Sequence, residues 1–296
     1  MPQLIGALCV SPVLRGSLWM SGAILSFSAM AIAGREVSTN LDTFEIMFYR
    51  SLIGFVIVLV FATVSGTKGD IQTERLPLHT IRNICHFTAQ NLWFYAITVV
   101  PLAQVFAIEF SAPLWALFLS AIILKERLTP SRLLAGLAGF IGILIITRPG
   151  TSAMGWAQIT PALAAIGFAA SAVTTRLLTR TEKITSIMFW LTGMQCIFGL
   201  ICAGWDMDIA LPTAANMPLV TLIAICGVTA HFCLTTALSL APASIVMPID
   251  FLRLPLIAAL GALLYSEALD LYVALGALII ITANYANIRK ETRAIK

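Results

Sequence analysis

Ten stretches of about 20 residues run almost free of charge, near 17–34, 44–64, 80–99, 102–124, 131–147, 156–175, 184–204, 218–240, 243–264 and 269–288. A helix needs about 20 mostly apolar residues to cross a bilayer. The apolar runs are near-continuous, whereas barrel strands would alternate and turn about every 10 positions. The pattern therefore predicts an all-α membrane protein with ten transmembrane helices and only short loops between them. The first fifteen residues lack a charged region followed by a cleavage site, so they are not read as a removable signal peptide.

The same pattern occurs twice. At a shift of 141 residues, Arg35 falls on Arg176, Ile46–Arg50 (IMFYR) on Ile187–Leu191 (IMFWL), and Thr88–Gln90 (TAQ) on Thr229–His231 (TAH). Pro101 then falls on Pro242, Ile108–Phe110 (IEF) on Ile249–Phe251 (IDF), and Glu126 on Glu267. One gapless offset covers segments one to four against six to nine. Five is odd, so the halves enter the membrane from opposite sides, giving a 5+5 inverted repeat with boundaries at 1–148 and 149–296. Inverted helical repeats are a feature of secondary transporters, with the cargo site near the midplane between the halves.

Composition agrees with this reading. The chain is 59% hydrophobic and 11% charged, against about 25% charged in soluble domains, and its mean hydropathy is +0.94. Of the 18 Lys and Arg, alternating the segments places only Arg35 and Arg148 in loops on one side and Arg50, Arg82 and Arg253 within segments. The rest fall on the side of the termini, which the positive-inside rule makes cytoplasmic. These basic loops read as solvated anchors, so the net charge of +4 gives no reason to expect nucleic acid as a partner. The six cysteines form no CxxC pair with a matching partner and read as small buried hydrophobes.

Pro113, Glu126, Gly136 and Gly139 in the first half, with APASIVMPIDFLRLPLIAALGALLYSE (Ala241–Glu267) and Gly276 in the second, resemble the EamA type of the drug/metabolite transporter superfamily along essentially the whole chain. The resemblance implies a five-plus-five helix carrier in a bacterial inner membrane. It leaves the cargo open, because the family carries many metabolites, S-adenosylmethionine, riboflavin and amino-acid-like compounds among them. PIDFLRLP resembles the acid-x-x-Arg version found in one bacterial branch, which implies small organic metabolites.

Charged residues inside the segments are the candidate site. Glu109 and Asp250 are repeat-equivalent, each eight residues after a proline, roughly 12 Å into the membrane from opposite faces. A charge at that depth costs at least about 2.5–3.5 kcal/mol, so each should meet a cavity or a partner. Asp250 and Arg253 share a helical face. Arg253 is expected to bind an anionic cargo group, its planar guanidinium suiting a carboxylate or phosphate, with Asp250 holding Arg253 or meeting a cationic cargo group; a purely structural ion pair is the alternative. Ala112 stands at the place of Arg253 in the first half. Glu109 pairs with Arg50 or carries a coupling proton.

The third segment is unusually polar, with Asn83, His86, Gln90, Asn91, Trp93 and Tyr95. Gln90 and its repeat-equivalent His231 are expected to line a cavity with His86, interhelical hydrogen bonding being the competing reading. Arg82 is expected to snorkel to the membrane surface. Trp19, Trp93, Trp115 and Trp190 could stack a ring, although aromatics in such helices more often anchor or pack. Glu126 and Glu267 read as helix-end caps. Gly136, Gly139, Gly142 and Gly276 allow close helix packing and offer a surface for a homodimer.

These features place the chain as a secondary active transporter of a small organic metabolite, not an enzyme, with the lipid bilayer and a small molecule as partners. No catalytic residue, metal or cofactor is expected: two histidines without nearby acidic or Cys ligands make a poor metal site, and no Walker motif is present. A membrane-embedded enzyme or a channel using the midplane charges is the alternative. Saturation and counterflow separate a carrier from a channel.

Overall fold

The computed structural model describes residues 12–123, 130–148, 156–240, 249–250, 252–268 and 270–294, all helix, turn or loop with no strand among the described residues. Eleven α-helices are described: α1 Pro12–Val37, α2 Thr43–Val64, α3 Leu76–Val99, α4 Leu102–Glu109, α5 Ala112–Ile123, α6 Pro130–Thr147, α7 Trp156–Leu178, α8 Ile184–Ala203, α9 Met217–Leu240, α10 Arg253–Tyr265 and α11 Leu271–Ala294. Among the described residues, six helical stretches are long and apolar enough to cross a membrane, α4 and α5 counting together as one of them.

Local chemistry sets the boundaries. Asp42 opens α2 by accepting from Glu45 N–H, and Glu45 returns a bond to Asp42 N–H. This reciprocal box satisfies two amide donors that no helical carbonyl can reach. The outward faces carry Val60, Ile81, Leu134, Ile201 and Leu278, all more than half exposed, as lipid-facing positions should be. In α3 the polarity points inward: His79, Arg82, Asn83, His86, Gln90 and Asn91 are all buried.

The helices pair mostly across the two halves. α1 packs on α9, α2 on α8, α3 on α7, α4 on α10 and α6 on α11. The α6–α11 seam shows why glycine is needed there. A Cβ on Gly142 would lie 2.9 Å from the Gly276 carbonyl, and one on Gly276 would lie 2.6 Å from the Gly142 carbonyl. Gly136 and Gly139 meet Phe118 and Leu114 of α5. These glycines are thus used for packing within the chain.

The fourth segment is expected to run unbroken through 102–124, but it divides into α4 and α5 at Phe110 and Ser111. Pro113 has no N–H to offer the carbonyl of Glu109 four residues back, so the ladder cannot continue there. The backbone tightens instead, with Ser111 N–H on Ile108 O at 3.0 Å and Leu114 N–H on Ser111 O at 2.9 Å. The Phe110 carbonyl leaves the ladder and accepts from Asn284 Nδ2 of α11 at 2.8 Å. The ninth segment is interrupted likewise: Ile249 and Asp250 are helical, Leu252 is a turn, and α10 begins at Arg253 with Pro255 in its first turn. Glu109 closes the first piece of its segment and its 141-residue counterpart Asp250 stands just before the turn at Leu252; Ala112 and Arg253, counterparts at the same offset, open the second pieces. Residues 241–248 and Phe251 lie outside the described residues, as do Glu126, Cys9 and the first eleven positions.

The two ends of the bundle are tied by polar contacts between halves. At one end Lys183 pairs with Asp70 at 2.6 Å, and Trp190 Nε1 donates to Gln72 O at 2.7 Å. His79, in the first turn of α3, is fully buried, with Nε2 2.7 Å from Glu182 Oε2. At the other end Arg35 pairs with Glu267, and Arg148 with Asp270. Tyr265 donates to Glu36 at 2.8 Å. Glu267 Oε2 also accepts from Leu102 N–H at 2.9 Å, capping α4 from the opposite half. Each end gathers loops that alternating the segments puts on a common side.

Candidate functional site

Arg253 sits where the two broken segments meet. Its Nη2 donates to Glu109 Oε1 at 3.0 Å and to Asp250 Oδ2 at 3.1 Å. The three side chains are only 6%, 14% and 15% exposed, so these are interior charges. Trp93 Nε1 donates to the other Glu109 oxygen at 2.8 Å, using the polar handle of the ring and not a free face for stacking. Phe27, Phe106 and Phe110 surround the guanidinium, with ring centres 5.1, 5.0 and 5.4 Å from its central carbon. Aromatic faces attract a cation and exclude water from it. Arg253 Nε and Asp250 Oδ1 are buried without a hydrogen-bond partner.

Glu109 therefore meets Arg253, contributed by the second half, and not Arg50. Arg50 is buried at 8% exposure. Its Nη1 lies 3.8 Å from Met47 Sδ, and its central carbon 5.9 Å from the Phe94 ring. No carboxylate pairs with it among the described residues. It borders a narrow cavity between the halves, also lined by Ser51, Thr192, Gln195, Gly227 and His231. The cavity volume is about 10 Å³, room for about one water.

The polar face of α3 lies beside this cavity. His86 and His231 have ring centres 5.3 Å apart, and His231 also meets Phe27 edge-on at 5.6 Å. His86 Nε2 is buried without a partner. Gln90 is buried but does not line the cavity with His231. Asn91 donates to Phe87 O of its own helix at 2.8 Å. Arg82 does not snorkel: at 4% exposure it donates to Thr175 Oγ1 at 3.0 Å and Asn83 Oδ1 at 3.1 Å. These partners keep it inside, between α3 and α7. Asn83 in turn receives Gln195 Nε2 on its backbone carbonyl at 2.9 Å and gives its own amide to Trp190 O at 3.2 Å.

Sequence reasoning left out Asn284, Gln195 and Thr175. Each is a single neutral polar residue in an apolar segment, weaker as a signal than a charge. Asn284 has the strongest signal of the three, since Asn287 stands three residues on near the end of segment ten; both are buried at 2–3% exposure. The five described cysteines are free thiols, and Cys226 and Cys233 are buried.

The profile of the EamA-like transporter family matches the chain twice, over residues 14–148 and 155–288. A riboflavin transporter of Rhizobium johnstonii is 30% identical over 94% of this chain and 92% of that protein. An S-adenosylmethionine uptake transporter of Rickettsia felis is 27% identical over 95% of each chain. A protein of known crystal structure shares the fold, with a TM-score of 0.65 and 18% identity over 95% of this chain and 99% of that one.

Proposed function

Because the chain belongs to the EamA-like transporter family, we propose that it moves a small organic metabolite across the membrane by alternating access between two five-helix halves, residues 1–148 and 149–296. It is an integral inner-membrane transporter of small metabolites, not an enzyme. The observation that carries the mechanism is the ion cluster at the two breaks. Arg253 of one half holds Glu109 of the other and Asp250 of its own at 3.0 and 3.1 Å, deep in the contact that must change if the halves rock.

The helix pairing supports an inverted repeat. Advancing each segment by five turns the α1–α9 contact into the α7–α3 contact and maps the α2–α8, α4–α10 and α6–α11 contacts onto themselves. A two-fold relation between the halves produces this pairing, and an odd number of segments per half sets its axis in the membrane plane. The polar ties at both ends and the narrow space between the halves mean that a metabolite reaches the middle only when one end opens. His86, Gln90, Asn91 and His231 line the path or order its walls, and Trp93 fixes Glu109. Both termini lie in the cytoplasm, on the side with most Lys and Arg.

Purified protein in liposomes loaded with unlabelled riboflavin or S-adenosylmethionine tests this reading through uptake of the labelled compound. A carrier gives saturable uptake, accelerated by cargo on the far side. Flux that rises linearly with concentration and ignores far-side cargo would make the protein a channel. No uptake of either compound, or of any amino acid, nucleoside or vitamin, would sink the carrier reading.

A further inference from the structure

Three arginines lie inside the bundle, and their surroundings differ. Arg253 is held by two carboxylates. Arg50 and Arg82 have none among the described residues; their contacts are a thioether, an aromatic ring, a hydroxyl and an amide oxygen. The guanidiniums of Arg50 and Arg82 lie within electrostatic reach of both His86 and His231. A neutral hydrogen bond does not offset the removal of a full charge from water, so a buried cation calls for a counter-charge.

We propose that the counter-charge is supplied by the cargo: when one end of the bundle opens and the space beside His231 widens beyond its present one-water volume, an oxyanion group, carboxylate or phosphate, binds Arg50 there, with Arg82 adding long-range attraction. This rests on the carrier reading and deepens it by naming the cargo class. It also moves the anion-binding role from Arg253, whose Nη2 already serves two carboxylates, to Arg50. The local construction fits. The guanidinium is planar and matches an oxyanion with two parallel bonds. Gly227 makes room for the guanidinium against α9: a Cβ there would lie 3.0 Å from Arg50 Nη2. Ser51, Thr192 and His231 add hydrogen-bonding groups to the same wall. Gln195, 2% exposed, has its Oε1 buried and unpartnered and can accept from a hydroxyl or ammonium next to the anion. Arg82 is joined to this wall through Asn83, which receives the Gln195 amide.

A structural role and a cargo role for Arg50 predict opposite effects on stability. A scaffold arginine stabilises the protein. An arginine awaiting its counter-ion is a strain that its removal relieves. The test uses matched probes differing by one anionic group: riboflavin against riboflavin 5′-phosphate, and S-adenosylmethionine against its decarboxylated form. Binding is read by thermal shift, and transport by counterflow, for wild type, Arg50→Gln and Arg50→Lys.

The expected result is that wild type prefers the anionic member of at least one pair by about tenfold or more, a value typical of one charge-assisted contact. Arg50→Gln loses that preference and, without cargo, melts at or above the wild-type temperature. Arg50→Lys retains part of the preference, because it keeps the charge but not the fork. The proposal is overturned if wild type shows no anion preference in either pair, if Arg50→Gln keeps it, or if Arg50→Gln melts well below wild type without cargo. Saturable counterflow indifferent to the anionic group would overturn this proposal and leave the carrier reading standing, whereas absence of counterflow for every compound would remove both.

Discussion

Replacing Arg253 with Gln leaves Glu109 and Asp250 facing each other without their cation. Both acceptor oxygens lie on one nitrogen, at 3.0 and 3.1 Å, so they are no more than about 6 Å apart. With charge centres near 4 Å and an effective dielectric constant of about 20, each attraction is worth about 4 kcal/mol, and the carboxylate repulsion at 6 Å costs about 3 kcal/mol. The full difference is not realised, because relaxation and water penetration around the remaining carboxylates offset part of it. Removing one partner of a buried pair typically costs about 3–5 kcal/mol, and this is the expected loss. At about 2–4 °C per kcal/mol for a large chain, the melting temperature should fall by roughly 10 °C. A thiol-reactive dye reports it well, since Cys226 and Cys233 are buried until the chain opens. The triple variant Glu109→Gln, Asp250→Asn, Arg253→Gln removes every charge and should recover to within about 1 kcal/mol of wild type, because neutral replacement of a whole buried cluster is often tolerated. Melting of Arg253→Gln within about 2 °C of wild type would refute a dry, paired cluster. A triple variant as unstable as the single would refute the electrostatic account of the loss.

Asn284→Ala removes the donor that holds the Phe110 carbonyl at 2.8 Å, and should cost about 1–3 kcal/mol, seen as a lower melting temperature; an unchanged value would mean the broken backbone finds another donor. Gly142→Val places a side chain against the Gly276 carbonyl and Ile280, forcing α6 from α11. It should cost about 1–3 kcal/mol or more, while Leu144→Ala on the exposed side of the same helix stays close to wild type. Glu267→Ala removes both the cap on Leu102 N–H and the Arg35 partner. It should lower stability by about 0.5–2 kcal/mol, and Ala268→Ser on the exposed neighbour provides the control.

The apolar runs carried most of the helix boundaries. Segments two, five and seven match α2, α6 and α8 to within a residue at either end, because a membrane leaves the backbone no alternative to a helix. The breaks at 110–111 and before 253 were legible in principle. Pro113 and Pro255 each stand in the first turn of the second piece, but the run of apolar residues across them hides the interruption from any count of hydropathy. The meeting of Glu109 with Asp250 could be expected from their depths, since eight residues of helix from opposite faces lead to one level. The choice of Arg253 over Arg50 as the partner of Glu109 could not, because depth along a helix says nothing about which neighbour its side chain faces. Arg82 failed for the same reason: proximity to a segment end suggested an escape to the surface, and the rotation of α3 toward Thr175 closed it off.

The breaks and the charges fall at the same place for a common cause. Within a bilayer, a carbonyl that leaves the helical ladder and a charge that leaves water both need a partner supplied by protein. Such partners are available only where helices face one another. Glu109 ends α4, the Phe110 carbonyl is passed to Asn284, and Arg253 begins α10. One polar patch thus serves both needs, and it lies where the halves touch. The same argument gives Arg50 and Arg82 their significance. The fold found carboxylates for one buried arginine by setting two acids a repeat apart, whereas among the described residues no carboxylate pairs directly with the other two. A chain that needed positive charge only for packing had Glu45 and Glu182, both buried, within its own first and second halves; it uses them instead on the Ala210 amide and on His79. The positive charge beside the central cavity is therefore left to be matched by whatever passes through it.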